Sequence, residues 1–259
     1  MQHAIRKFGI TLGLLIAVFF QIQGAHADTL VTTHLTRDTR WTLEGSPYVI
    51  QTQDYNISVT PSVTLTIDPG VIVKFSPRTG LDVQGRLVAQ GTLQKPILFT
   101  SIYDKPEPYN TAYPGDWYGI FVRGSTASTI KYATIRYAGR KDFMSYPKAA
   151  SLMLNGNGHT VDHATIEQGD GNGMWLQYVY QSKITANTIK TQRLNGMLVN
   201  HSQNNDVSRN AIKDNQGDGI QLVNLADGLY HDNEVMGNEG NGIFMNTLMG
   251  PDIHDNHIA

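Results

Sequence analysis

From Asn172 to Ala259 the chain repeats itself every 23 residues. Gly173, Gly196, Gly219 and Gly242 stand one period apart, as do Ile184, Val207, Tyr230 and Ile253, and again Asn187, Asn210, Asn233 and Asn256. Three columns held in one register point away from a conventional globular domain. A unit this short cannot bury an apolar face alone and has to stack on copies of itself.

The content of the unit selects the kind of solenoid. Each begins with Gly and an alternating apolar pair, as in Gly173-Met174-Trp175-Leu176 and Gly219-Ile220-Gln221-Leu222. A polar segment follows, then an apolar-x-x-Asn-x-apolar hexamer such as Ile184 to Ile189. Alternation over so few residues predicts strands, and no stretch keeps helical spacing long enough for a helix. Short strands between Gly and Asn turns predict an all-β, single-stranded parallel β-helix of 23-residue coils. Successive strands would then lie about 4.8 Å apart. The predicted inward columns are Met174, Met197, Ile220, Ile243 and Leu176, Val199, Leu222, Met245, all apolar. The four asparagines predict a ladder of side-chain amides bonded from coil to coil. A second column, Asn172, Asn195, Asp218 and Asn241, precedes the glycines.

The pattern resembles the right-handed parallel β-helix family, the pectate-lyase-like superfamily, and the repeats are similar to those of NosD-type periplasmic proteins. The resemblance implies the fold more strongly than the function, because that family holds lyases, hydrolases, epimerases, adhesins and metal-site maturation factors on one scaffold.

Upstream, Arg6 and Lys7 precede an apolar run from Ile10 to Phe20, and Ala25-His26-Ala27 has small residues at the cleavage positions. Residues 1–27 are therefore expected to be a signal peptide rather than a membrane span, leaving no stable anchor after cleavage and a secreted or periplasmic protein. Removal would take the net charge from −2 to −4, which argues against a nucleic-acid partner. The chain has no cysteine, so disulfides, catalytic thiols and cysteine metal sites are excluded. Walker-type loops, EF-hands and nucleophile elbows are absent as well.

Residues 28–60 are irregular and are expected to form an N-terminal cap; residues 61–259 are expected to form the β-helix, in about seven or eight coils. Two insertions interrupt it. One, from Tyr103 to Tyr118, carries Pro106, Pro108 and Pro114; the other lies around Arg140 to Pro147. Loops on a rigid solenoid are where clefts are built. The chain stops in mid-repeat after Asn256, which predicts a missing C-terminal segment or a capping partner for the open strand edge.

The column between the inward positions is read as Phe121, Leu152, Trp175, Leu198, Gln221 and Phe244, so that Phe121, Trp175 and Phe244 become candidate sugar-stacking platforms. His231-Asp232 and His254-Asp255 recur one coil apart and are the candidate metal ligands. If the chain is an enzyme, the resemblance implies a polysaccharide lyase, epimerase or glycoside hydrolase. Chemistry on uronates needs a base and a cation beside the carboxylate. Candidates are Lys183, His201 and Arg209, with Asp170 and Asp218 as acids or calcium ligands, though none sits in a recognisable motif. The Asp-Pro-His-Asp motif of alginate epimerases is absent, since Ile253 splits Asp252 from His254. The expected function is an exported protein that binds or processes polysaccharide, possibly acidic and uronate-containing. The alternatives are a non-catalytic surface or adhesion protein and a NosD-like periplasmic maturation factor.

Overall fold

The computed structural model describes residues 27–142, 149–224, 226–247 and 249–259. Among these, short strands stack into three parallel sheets of ten, eight and nine strands, and each coil contributes one strand to each sheet. A representative coil places Met197–Asn200 in the eight-stranded sheet, Asn205–Ser208 in the nine-stranded sheet and Ala211–Lys213 in the ten-stranded sheet. The next strand, Ile220–Asn224, then returns to the first. The result is a right-handed parallel β-solenoid of about 10 turns.

The turn count exceeds the seven or eight read from the repeat because the irregular N-terminal stretch also coils. Thr29–Val31, Thr39–Trp41 and Asn56–Val59 supply the outermost strand of the ten-, nine- and eight-stranded sheets. The sequence change near residue 60 is thus not matched by a break in the ladders.

The core is a single apolar column inside the coils. Met174, Met197 and Ile220 stack, as do Leu176, Val199 and Leu222, and Ile189, Ile212 and Val235, all without solvent exposure. Each such side chain stabilises the coil by roughly 1.5–3 kcal/mol relative to exposure. The glycine column has a steric cause. A Cβ at Gly173, Gly196 or Gly219 would overlap Cγ2 of Ile189, Cγ2 of Ile212 or Cγ1 of Val235 respectively.

The asparagine ladder is present and buried. Asn210 Oδ1 accepts both the backbone N–H of Asn187 at 3.0 Å and its Nδ2 at 2.9 Å. Asn210 Nδ2 in turn donates to the Ile184 carbonyl at 2.8 Å and to Asn233 Oδ1 at 2.9 Å. Every polar atom of the buried amide is engaged, which is the condition for burying it at all. A further rung series, Gln192, Asn215 and Asn238, lines the next corner in the same way. The residues before the rungs, including Ala186, Arg209, Asp232 and Asp255, adopt left-handed φ near +54°.

One step of the repeat is not 23 residues. Leu154 pairs with Leu176, 22 residues on, while Gly156 pairs with Val179, 23 on, and a bulge between Leu154 and Gly156 absorbs the difference. Leu152 consequently faces the core beside Met174, and Met153 takes the outward place read for Leu152.

Candidate functional site

The outward column of the eight-stranded sheet runs Asp82, Phe121, Met153, Trp175, Leu198, Gln221, Phe244. Phe121 and Trp175 are not exposed platforms. Both are only 3% accessible and form a second apolar cluster with Tyr118, Met153 and Leu198 on the outside of the sheet. Aromatic rings whose column neighbours are also apolar cover one another, so their faces are spent on packing. Phe244 alone of the three is open, at 36%.

Exposed rings lie instead on the first inserted loop, where Tyr103, Tyr109 and Tyr113 face solvent. That loop is pinned at several points. Ser101 Oγ donates to Asp116 Oδ2 at 2.7 Å, and the same oxygen accepts the Tyr113 N–H at 3.0 Å. Asn110 Nδ2 donates to the Tyr137 hydroxyl at 3.2 Å. At the loop's end Trp117 stacks on Phe75 with ring centroids 3.9 Å apart and donates its indole N–H to the Arg136 carbonyl.

The two insertions meet at Gly115 and Arg140, where Arg140 Nη1 donates to the Gly115 carbonyl at 3.1 Å. Four cations gather there. Arg140 and Arg78 both reach Asp142, and Lys141 and Arg193 both reach Asp170, at 3.6 and 3.0 Å. The hydrogen bond from Arg140 is the main force holding the Asp142 carboxyl below its usual range, and the same bond raises the Arg140 guanidinium. Burial pushes the nearby Tyr118 phenol up.

Beside this cluster a cleft of about 370 Å³ opens on the outer face of the sheet, lined by Lys141, Asn172, Leu194, Asn195, Leu198 and Gln221. Leucines, amides and a cation in one concavity can hold a ligand with an apolar face, hydroxyl groups and negative charge.

The other candidates do not converge. Asp170 and Asp218 lie at the corner leading into the eight-stranded sheet. Asp170 is paired as above, and Asp218 Oδ1 accepts the backbone N–H and the Nδ2 of Asn241 at 2.7 and 2.9 Å. His201 occupies the opposite corner, in left-handed conformation, with Nδ1 2.8 Å from Asn200 Oδ1 and its ring over Tyr178. Lys183 starts a strand of the nine-stranded sheet, and Arg209 sits at that sheet's far corner with φ of 55°. Three corners of a solenoid cannot form one catalytic centre.

His231 and His254 do stack, with centroids 5.0 Å apart and planes 8° from parallel. Each Nδ1 is engaged by its own neighbour, His231 by Asp232 at 2.8 Å and His254 by Asp255 at 3.0 Å. The bond to Asp255 raises the His254 imidazole. Among the described residues no group of three or more His, Asp or Glu is arranged to hold a metal. The predicted signal peptide lies outside the described residues except for Ala27, as does most of the second loop. Among the described residues no helix is long and apolar enough to cross a membrane.

A family model described as the right-handed beta helix region matches residues 109–258, more than half of the chain. The chain belongs to the right-handed beta-helix family. No curated protein matches it by sequence. Among solved structures, a point mutant of the periplasmic alginate epimerase AlgG is similar at 14% identity and a TM-score of 0.51, over 89% of this chain. A second AlgG mutant aligns at 9% identity with a TM-score of 0.43. This chain spans 65% of the length of the first. At such identity the likeness is one of fold.

Sequence reading located the two insertions and the Gln221 column, but not Arg78, Arg140, Lys141, Asp142 or Arg193 as partners. The gathering of arginine, lysine, tyrosine and proline in the two insertions was the available signal.

Proposed function

We propose that this β-helix protein is exported and binds an acidic polysaccharide in the cleft beside the inserted loops. The observation that carries the reading is the cleft lining. Leu194 suits the apolar face of a pyranose, the amides of Asn195 and Gln221 suit its hydroxyls, and Lys141, with Arg193 close by, suits a uronate carboxylate. Tyr109 and Tyr113, exposed on the loop above, add flat surfaces for further sugar units. Phe121 and Trp175 have no part in this reading. Export rests on the charged and apolar pattern of residues 1–27 and on the periplasmic location of the AlgG structures. AlgG acts on alginate, which makes alginate the first polymer to try.

The test is affinity electrophoresis of the purified protein in gels carrying alginate, polygalacturonate or a neutral glucan, with and without calcium, alongside ultraviolet detection of unsaturated products. Retention by the two polyuronates, weakened by salt and by Lys141→Ala or Arg193→Ala, is expected. Equal mobility in all gels would overturn the proposal. Unsaturated product would extend it from binding to lyase activity.

A further inference from the structure

Two neighbouring residues depart from the repeat, and they touch. In the outward column four successive coils carry Phe121, Met153, Trp175 and Leu198, and the fifth carries Gln221. In the column of Asn172, Asn195, Asp218 and Asn241, only Asp218 is charged. Neither departure serves the core. Gln221 Nε2 donates to Asp218 Oδ2 at 3.2 Å, and Gln221 Oε1 accepts from Asn195 Nδ2 at 3.2 Å.

The orientation of this amide is fixed by groups that have no choice of role. The backbone N–H of Asp218 can only donate, and Asn195 Oδ1 accepts it at 2.8 Å, so Asn195 turns its NH₂ towards Gln221. The Asp218 carboxylate can only accept, so Gln221 turns its NH₂ towards Asp218. An asparagine at position 218, its oxygen kept by the Asn241 N–H, would set its own NH₂ against that of Gln221 and remove this bond. Each end of the Gln221 amide is thus held by one bond, which leaves one N–H and one oxygen lone pair on a residue that lines the cleft.

We infer that Gln221 is a specificity-determining residue of the cleft, presenting a fixed donor–acceptor pair to two adjacent hydroxyls of a sugar ring bound there, and that Asn195 and Asp218 are the residues that position it. The inference rests on the polysaccharide reading above. It also gives Asp218 a role other than acid–base chemistry or calcium binding. Because the amide is already immobilised, little further side-chain entropy is lost when a ring docks.

The experiment measures alginate and polygalacturonate affinity, with melting temperature in parallel, for the wild type, Gln221→Leu and Asp218→Asn. Gln221→Leu restores the apolar column, and Asp218→Asn restores the residue type carried by the other three coils, so both are expected to melt with the wild type. Gln221→Leu should weaken binding by about tenfold, the loss of one good polar contact pair. Asp218→Asn should weaken it by about threefold to tenfold by setting a donor against the Gln221 NH₂ and displacing the amide. Wild-type affinity in both variants overturns the inference while leaving polysaccharide binding intact. A melting temperature that falls in step with affinity also overturns it, by making the pair structural. Failure of the wild type to bind either polymer overturns both readings.

Discussion

His159 should make the middle of this solenoid sensitive to acid. It is 1% exposed and forms one rung of a buried series in which a side chain caps a backbone N–H of the preceding coil. Ser128 Oγ caps Leu87, His159 Nδ1 caps Ser128 at 3.1 Å, Ser182 Oγ caps His159 and Asn205 Oδ1 caps Ser182. Since the Ser128 N–H only donates, Nδ1 must hold the lone pair, and Nε2 donates to the Asn155 carbonyl at 3.1 Å. Burial lowers the His159 pKa below its usual 6.5, opposed by the bond to Asn155. Protonation would replace the cap with two donors facing each other. Arg86, whose Nε reaches the Ala127 carbonyl, and Lys183, whose backbone N–H bonds the His159 carbonyl, are cations on the adjoining coils, with Lys131 beside Asp162, and none relieves that conflict. The folded pKa lies below the unfolded one, so the unfolded state takes up the proton first. Stability is complete above the unfolded pKa and falls with pH below it, by at most about 1.4 kcal/mol per pH unit, until the folded-state group is itself protonated. His159→Asn supplies the rung that Asn205 already provides one coil pair away. It should cost about 1–2 kcal/mol at neutral pH for the lost ring volume, and it should remove this part of the pH dependence. Urea unfolding from about pH 5 to 8, with amide exchange read at Ser128, tests the idea. Parallel pH profiles for wild type and variant would refute the reasoning.

Gly196→Ala should destabilise by about 1–3 kcal/mol through overlap with Ile212 Cγ2, and the additional change Ile212→Ala, which removes that methyl, should cost less in that background than alone, a non-additivity that a double-mutant cycle by urea titration would detect. Asn210→Ala should cost roughly 2–5 kcal/mol, because it strands the buried N–H and Nδ2 of Asn187 and the Ile184 carbonyl; a loss under about 1 kcal/mol would mean that water enters the ladder. Asp170→Asn should tighten alginate binding by releasing Lys141 and Arg193 from their shared carboxylate, while shifting stability by no more than about 1 kcal/mol, as partly exposed pairs do; unchanged or weaker binding would show that the two cations do not face the polymer. Trp175→Ala should lower the melting temperature through cavity formation, by about 3–5 kcal/mol of stability, and any loss of polymer affinity should vanish at temperatures where the variant is folded.

The fold was legible because a solenoid writes the same constraint many times. Gly173, Gly196 and Gly219 each avoid the same clash, and Asn187, Asn210 and Asn233 each close the same set of bonds, so position-by-position repetition exposes the geometry. Legibility fails where the constraint is met once. The bulge at Leu154 to Gly156 changes one step from 22 to 23 residues, and that shift moved Leu152 to the wrong face in the sequence reading. The coils before residue 60 satisfy the same sheet pairings with non-repeating residues, so their number was underestimated. The His159 rung was invisible for a related reason: the capping acceptors at 128, 159, 182 and 205 are Ser, His, Ser and Asn, one chemical role filled by three residue types.

For the site, the same logic runs in reverse. Residues that obey the repeat are accounted for by stacking: Trp175 packs in an outer cluster, and Arg209 occupies a left-handed corner. Periodicity guarantees that such residues face the same environment coil after coil, which is poor material for a unique binding geometry. What distinguishes one place on a solenoid from the next is the break in the pattern. Here the breaks coincide: two insertions meet at Gly115 and Arg140, Lys141 projects towards Asp170, and two coils over, Gln221 interrupts an apolar column and bonds the single acid of the adjoining series. Independent departures from a 23-residue rule would scatter over about ten turns if each were neutral drift. Their convergence on one cleft is the physical reason for assigning function to that face rather than to the better-formed repeats.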